Sequence, residues 1–436
     1  MTETAIAPRV VDATAGPARL LMLPTAVRDV VSFRGSFAAA PDLAADDDVA
    51  LSLLANVLDK GTRQRDRFAI AEALEGRGAQ ISFYADGLRM GFSGRALRDD
   101  LEDVLAILAE QLRDPALDPD EVQKAVVRAE AGVRRSREST GAQAGGALAR
   151  RLYGPAHPNY VLHPDRESEA IAAVTSERLR ALHDAHVGPD RLTIAFVGDV
   201  PLDATEAAIA ETLGGWTPHG REPAYEPSAS PEPVGRTAVE MADRRNLDVR
   251  LGHPVALRRD SPDFLATYAA VYALGGNFSS RLMQTIRDEQ GLTYGIGASL
   301  GAPSVDYDGH VRVNVTLSQE NVEHGTEAVR REVAAFVEDG VPEDVLGPVR
   351  TTLAGLHVVG MATTAGLAAR LLVNAERGFD VDYLDRYPDL VRALTPDEVT
   401  EALRRHVRPS ELHEAVAGSL PAPAQGDPQI AAEAAI

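Results

Sequence analysis

The chain has 436 residues, 44% of them apolar and none of them cysteine. That is enough to build two to four domains, and it excludes disulfides, thiolate-held zinc, iron–sulfur clusters and thiol nucleophiles. Its 44 basic and 65 acidic residues give a net charge of −21, a balance that argues against binding nucleic acid or docking on anionic lipid.

Along the chain, Met1 to Gly16 carries Glu3, Arg9 and Asp12 and no long apolar run, so it does not read as a secretory signal. No stretch approaches the roughly 18 apolar residues of a membrane span. The expected location is cytoplasmic. Val31, Phe33 and Phe37 outline a first strand, and Leu51 to Leu58 reads as a buried helix. Leu101, Val104, Leu105, Leu108 and Leu112 follow the 3.6-residue period of an amphipathic helix. Asp118-Pro119-Asp120-Glu121 then reads as N-cap, N1 proline and capping-box acid. Leu192 to Val197 is a nearly continuous apolar strand. After it comes a segment from Thr217 to about Gly235 with five prolines by Pro233, expected to be a semi-extended linker. Leu247, Val249 and Leu251, then Val311, Val313, Val315 and Leu317, alternate as strands with one buried face. Thr395-Pro396-Asp397-Glu398 repeats the helix-start grammar. The tail from Pro421 to Ile436, rich in Ala, Pro and Gly, is expected to be disordered.

The chain also repeats itself. His186-Val-Gly-Pro189 matches His406-Val-Arg-Pro409 at an offset of 220 residues, and Gly198 matches Gly418 at the same offset. Pro119-Asp-Glu-Val122 pairs with Pro342-Glu-Asp-Val345. A shared order at near-constant offset implies tandem halves, placed at 1–216 and 237–436 with the linker at 217–236. Paired strands and runs of helices predict an α+β fold in which each half is a mainly antiparallel sheet covered by helices.

Most familiar chemistry is missing. Gly91-Phe-Ser-Gly-Arg95 breaks the nucleophile-elbow pattern, no phosphate-binding Walker loop occurs, and Gly295-Ile-Gly297-Ala-Ser-Leu-Gly301 has the wrong spacing for a dinucleotide loop. His183 and His186, one helical turn apart, could ligate a metal. The counterpart of His186 at His406 favours a structural role at a helix end. The densest segment runs from Leu274-Gly-Gly-Asn through Ser280-Arg281-Leu282 and Arg287 to Gly291-Leu-Thr-Tyr294.

That segment resembles the second-half signature of the pitrilysin/insulinase family of zinc peptidases, the inverzincins. The resemblance covers roughly residues 20–420: Gly61-Thr62, His157-Pro158 and Pro189 to Asp199 match further landmarks. It implies a clam-shell half of the mitochondrial-processing-peptidase kind, with Arg287 and Tyr294 as substrate-binding residues. The family's zinc motif, H-x-x-E-H, does not survive. Counting back from Gly61-Thr62, its positions fall on Ser52, Ala55 and Asn56, and only Glu130 lies near the distal ligand position. The resemblance therefore implies a non-catalytic subunit with no metal of its own. It would supply Arg287 and Tyr294 to a zinc-bearing paralogous partner in a heterodimer that hydrolyses peptides. The alternative is a structural or peptide-carrying member with no part in proteolysis, comparable to the core subunits of respiratory complexes.

Overall fold

A computed structural model describes residues 5–39, 41–301 and 303–420. The predicted disordered tail lies outside the described residues. The strands are β1 (Val11–Ala15), β2 (Ala18–Pro24), β3 (Val30–Ala38), β4 (Gln80–Asp86), β5 (Arg89–Leu97) and β6 (Thr193–Gly198), then β7 (Arg236–Glu240), β8 (Asn246–Val255), β9 (Ile296–Gly301), β10 (Gly309–Ser318) and β11 (His413–Gly418). The first six form one sheet in the order β1-β2-β6-β3-β5-β4, and the last five form another in the order β7-β11-β8-β10-β9. Set β1 aside and the two orders are the same. Each sheet is antiparallel except for one parallel pair, β2 with β6 and β7 with β11. The strands that hold this place end alike. Gly198 has φ +138° and Gly418 φ +145°, a backbone that side chains other than hydrogen rarely tolerate. The fold is α+β.

The helices of the first half are α1 (Asp47–Ala55), α2 (Arg67–Glu75), α3 (Leu101–Arg113), α4 (Pro119–Arg137), α5 (Thr140–Leu152), α6 (Pro164–Ala172), α7 (Ser176–His186) and α8 (Leu202–Leu213). Those of the second are α9 (Phe264–Gly275), α10 (Val322–Asp339), α11 (Glu343–Gly360), α12 (Thr364–Glu376), α13 (Tyr383–Ala393) and α14 (Pro396–His406). The two helix starts with matching sequence differ in one respect. At α14 both halves of the capping box are made. At α4 the Asp118 carboxylate accepts from the Asp120 and Glu121 amides, but Glu121 does not reach back. Its carboxylate is taken instead by Lys124 at 2.8 Å and Arg67 at 3.3 Å, since a charged partner outcompetes a neutral amide.

Small and aromatic residues alternate across the first sheet. Gly35 faces Phe92, Gly94 faces Phe33 and Gly91 faces Tyr84. A Cβ on Gly35 would sit 2.2 Å from Phe92 Cζ, so the ring lies flat over the glycine and fills the gap its neighbour leaves.

The layers are not closed within each half. Leu20 and Met22 of β2 point into the main core of the first half. Leu21 and Leu23, with Ala195 and Val197 of β6, point to the opposite face, where Ala368, Leu371 and Leu372 of α12 cover them. Helix α12 comes from the second half. Reciprocally, α5 of the first half lies on β8 and β11 of the second, with Leu148 and Leu152 packing against Ala415. Burial on both faces explains why Leu20 to Leu23 of β2 and Ile194 to Val197 of β6 are unbroken apolar runs rather than alternating ones. Polar bonds pin the exchange. Ser32 and Thr364 hydroxyls meet at 2.8 Å, and Ser36 donates to Glu376, which also pairs with Arg89 at 3.5 Å. At the other seam Thr140 Oγ1 donates to Asp248 at 2.6 Å. Burial pushes the Asp248 carboxyl up, but the Thr140 and Thr316 hydroxyls and Arg250 outweigh it and hold it below the ordinary range.

Candidate functional site

Residues 276–294 form a surface module between α9 and β9. Helix α9 is apolar almost all round and buried, and it ends at Gly275 against β9: a Cβ on Gly275 would fall 2.2 Å from the Ala298 amide. The chain then turns at Asn277, whose side-chain oxygen accepts from the Ser279 amide at 3.0 Å. A helical turn comes next, and from Met283 to Glu289 it winds as a π-helix. Its i→i+5 bond from the Gln290 amide to the Thr285 carbonyl is 3.1 Å. Widened turns of this kind re-aim one side chain relative to a regular helix and recur at functional sites. The re-aimed segment carries Arg287. Ile286 on the opposite side is fully buried.

Arg287 is held loosely. Its guanidinium lies 5.5 Å from the centroid of the Phe278 ring, and its nearest acid, Asp288, is 3.9 Å away. Gly291, at φ +64°, reverses the chain toward Tyr294. Thr293 anchors this reversal by donating to the Thr316 carbonyl at 2.6 Å. Tyr294 is thereby presented to solvent at 99% exposure, and Phe278 at 77%. Two exposed aromatic rings and a cation thus stand on a turn anchored from beneath.

The second predicted locus is α1. Ser52 and Asn56 share its exposed face and are tied to the helix itself: Ser52 Oγ donates to the Asp48 carbonyl at 2.9 Å, and Asn56 Nδ2 donates to the Ser52 carbonyl at 2.8 Å. Ala55 is buried in the main core. Glu130 on α4 accepts from the Ser168 hydroxyl at 3.3 Å. Two further acids gather there that the motif reading did not find. Burial, then Glu130 and Asp48, raises the Glu167 carboxyl, while burial chiefly raises Asp48. Asp48 lies one turn before Ser52, so helical spacing was the available signal; Glu167 had none. Both of these shifts run upward, and Ser52, Ala55 and Asn56 bring no imidazole to the place.

Zinc prefers imidazole and thiolate in tetrahedral sites. With a hydroxyl, an amide and a methyl group at the motif positions, the residues of α1 do not fit it. Among the described residues no group of His, Asp or Glu is arranged to hold a metal ion. The purified chain is therefore expected to retain no stoichiometric zinc. Elemental analysis that finds about one zinc per chain after mild chelation would contradict this.

Four of the histidines pack or bond within the fold. His183 Nε2 bonds the Leu112 carbonyl at 2.8 Å, and His406 meets Asp263 at 2.6 Å at the end of α14. His157 is buried and stacked 4.2 Å from Tyr153, whose hydroxyl meets His310 at 2.9 Å. This aromatic column ties the first half to β10. Burial drives His157 down to about 4 and His310 to about 3, so both are neutral at pH 7.

The family model "Insulinase (Peptidase family M16)" matches residues 52–153, and "Peptidase M16 inactive domain" matches residues 173–353. The chain is similar to an uncharacterized zinc protease of Streptomyces coelicolor, with 25% identity over 81% of this chain and 77% of that one. It is also similar to a non-peptidase homolog of Helicobacter pylori, with 20% identity over 83% and 82%. Among solved structures, a peptidase M16 inactive domain from Pseudomonas fluorescens superposes with TM-score 0.84 at 24% identity, over 95% of this chain and 98% of that one. The periplasmic protease PqqL of Escherichia coli superposes with TM-score 0.77 at 16% identity. The match takes in 96% of this chain and 48% of that one.

Proposed function

Starting from a chain that belongs to the M16 insulinase family of peptidases and has, among its described residues, no group fit to hold zinc, we propose that it is the substrate-binding, non-catalytic subunit of a heterodimeric zinc endopeptidase. The observation that carries this reading is the anchored, outward-facing pair of Arg287 and Tyr294. An arginine with only a loose acid neighbour and a tyrosine at 99% exposure contribute little to the stability of this chain.

In the proposed complex the partner brings a zinc-bearing half to face residues 276–294. Arg287 donates charge-assisted hydrogen bonds to a peptide carbonyl and holds the strand in register. Tyr294 donates its hydroxyl toward the oxygen on which negative charge develops during attack. Phe278 stacks beneath the guanidinium and limits its swing. The zinc and the general base would be the partner's, and they would supply the activated water.

A stable partner is expected, with an obligate-type interface of ~2,000 Å² or more. The test is co-expression with a paralogous chain bearing intact H-x-x-E-H, then light scattering and a peptide-hydrolysis assay. A one-to-one complex that cleaves peptide, when neither chain does so alone, is the expected result. A one-to-one complex with no hydrolysis favours the structural reading, which the non-peptidase homolog of Helicobacter pylori brings into view. A chain that ignores such partners altogether contradicts both.

A further inference from the structure

A cavity of about 180 Å³ lies in the second half among α9, α11, α12 and α13, in a region the proposed peptide-binding role does not use. Three guanidiniums line it: Arg259, Arg370 and Arg377. Tyr268, Tyr383 and Tyr387 surround them, and no carboxylate is among the lining residues. Arginines that converge in a partly buried place normally meet an acid. Here none of the three makes an ion pair among the described residues.

Two acids stand close enough to be felt electrostatically, and both are engaged elsewhere. Glu376 accepts from Ser36 and pairs with Arg89 of the first sheet. Asp385 accepts the Ile6 and Ala7 amides at 3.0 and 2.8 Å. Burial, then the charges of Arg259 and Arg370, pushes Arg377 down to about 10, so the cluster repels itself. Arg259 keeps its guanidinium 4.5 Å over the Phe264 ring, and its Nε is buried without a protein partner.

Two neutral groups are also left short. Asn374 is 4% exposed and its Nδ2 finds no partner among the described residues. His357 is 3% exposed; its Nε2–H donates to the Leu384 carbonyl at 2.8 Å, which leaves Nδ1 as an unpartnered acceptor, suited to a hydroxyl rather than to an anion. Buried polar atoms without partners are uncommon and call for an explanation. Amide and guanidinium donors converging beside tyrosine hydroxyls match one chemistry, a small oxyanion with several negative oxygens. The cavity is below the ~300 Å³ at which drug-sized ligand sites begin, so the anion is compact.

We infer that Arg259, Arg370 and Arg377, with Asn374 and Tyr387, form a binding site for a phosphate or pyrophosphate group. The site touches the seam between the halves, because Arg370 and Asn374 lie on α12 and Arg377 caps its end. Filling it would neutralise the arginines beside the helix that covers the first sheet. The group can be inorganic or part of a phosphorylated aromatic molecule whose ring packs on the tyrosines.

The test is calorimetric titration of the full chain with inorganic phosphate, pyrophosphate and phenyl phosphate at constant ionic strength. Melting curves are recorded alongside, with sodium chloride as the control. Saturable binding of at least one of them with a raised Tm is expected. A preference for pyrophosphate identifies the inorganic group, and a preference for phenyl phosphate identifies the aromatic ester. Arg370→Gln and Arg377→Gln are each expected to weaken binding ~10–100-fold, since a charged hydrogen-bonding partner is lost. Both should also raise the Tm of the ligand-free chain by relieving repulsion. Arg392→Gln, exposed on α13 and paired with Asp389, should bind as wild type. If the glutamine variants fold poorly, Arg370→Lys, which keeps the charge but loses the planar fork, and Tyr387→Phe provide the binding comparison. No saturable binding beyond the chloride control overturns the proposal. So does wild-type affinity in both glutamine variants.

Discussion

Tyr294→Phe is expected to lower kcat of the reconstituted peptidase pair by ~10²–10³ while folding and assembly stay normal, because it deletes one hydroxyl aimed at developing charge and keeps the ring. The physical basis is the 99% exposure of Tyr294. A side chain that buries nothing in its own protein costs nothing there when it is trimmed. Arg287→Ala is expected to act in the same direction and also to raise KM, since in the proposed role Arg287 grips substrate before the transition state. Arg287→Lys should fail as well, because a point charge does not reproduce the guanidinium fork. Assembly is checked by gel filtration and turnover by peptide hydrolysis. Wild-type turnover in both Tyr294→Phe and Arg287→Ala would remove the substrate-binding role and leave the structural reading.

Leu372→Ala is expected to destabilise the chain by ~2–5 kcal/mol and Leu372→Asp by more, because Leu372 is 1% exposed and an unpaired carboxylate there has no water. The informative part is where the damage is felt. Leu372 belongs to the second half, yet it covers Leu21, Leu23, Ala195 and Val197 of the first sheet. Trp216, the only tryptophan, packs edge-on against Phe37 of that sheet with ring centroids 5.6 Å apart. Trp216 fluorescence should therefore lose its transition at the same lowered denaturant midpoint as far-ultraviolet circular dichroism. If Trp216 instead unfolds at its wild-type midpoint in Leu372→Ala, the halves are independent and the exchange of α5 and α12 contributes little. The same exchange predicts that either half expressed alone would expose an apolar sheet face.

Much of the framework comes from local pattern. The helix over Leu101–Arg113 and the strand over Gly309–Ser318 fall where the 3.6- and 2-residue periods put them, since burial of one face imposes those periods on any chain. The duplication was legible in His186 and His406, which end α7 and α14, and in Gly198 and Gly418, whose positive φ admits few other residues. At Ser52, Ala55 and Asn56, where the resemblance puts the zinc motif, the reading is a matter of residue identity alone. Ser52, Ala55 and Asn56 cannot supply imidazole or a general base in any fold.

Other features depend on atoms far apart in sequence. Glu121 looked like a capping residue because its spacing allows it; Lys124 and Arg67 decided otherwise, and Arg67 is remote along the chain. Apolar β2 and β6 announce two buried faces but cannot say which helix covers the second one, since Leu371 and Leu372 have the same period as any amphipathic helix. Asp48 and Glu167 come together only because α1 and α6 pack side by side, and the arginine cavity exists only because α9, α12 and α13 converge. Sequence by itself determined which residue types stand at the expected site positions, how its segments fold and that it is built twice. Tertiary structure decided which half covers which sheet, which charges find partners and which side chains are left facing outward. Propensity and periodicity act over a few residues, whereas coverage, pairing and exposure are properties of surfaces that meet across the whole chain.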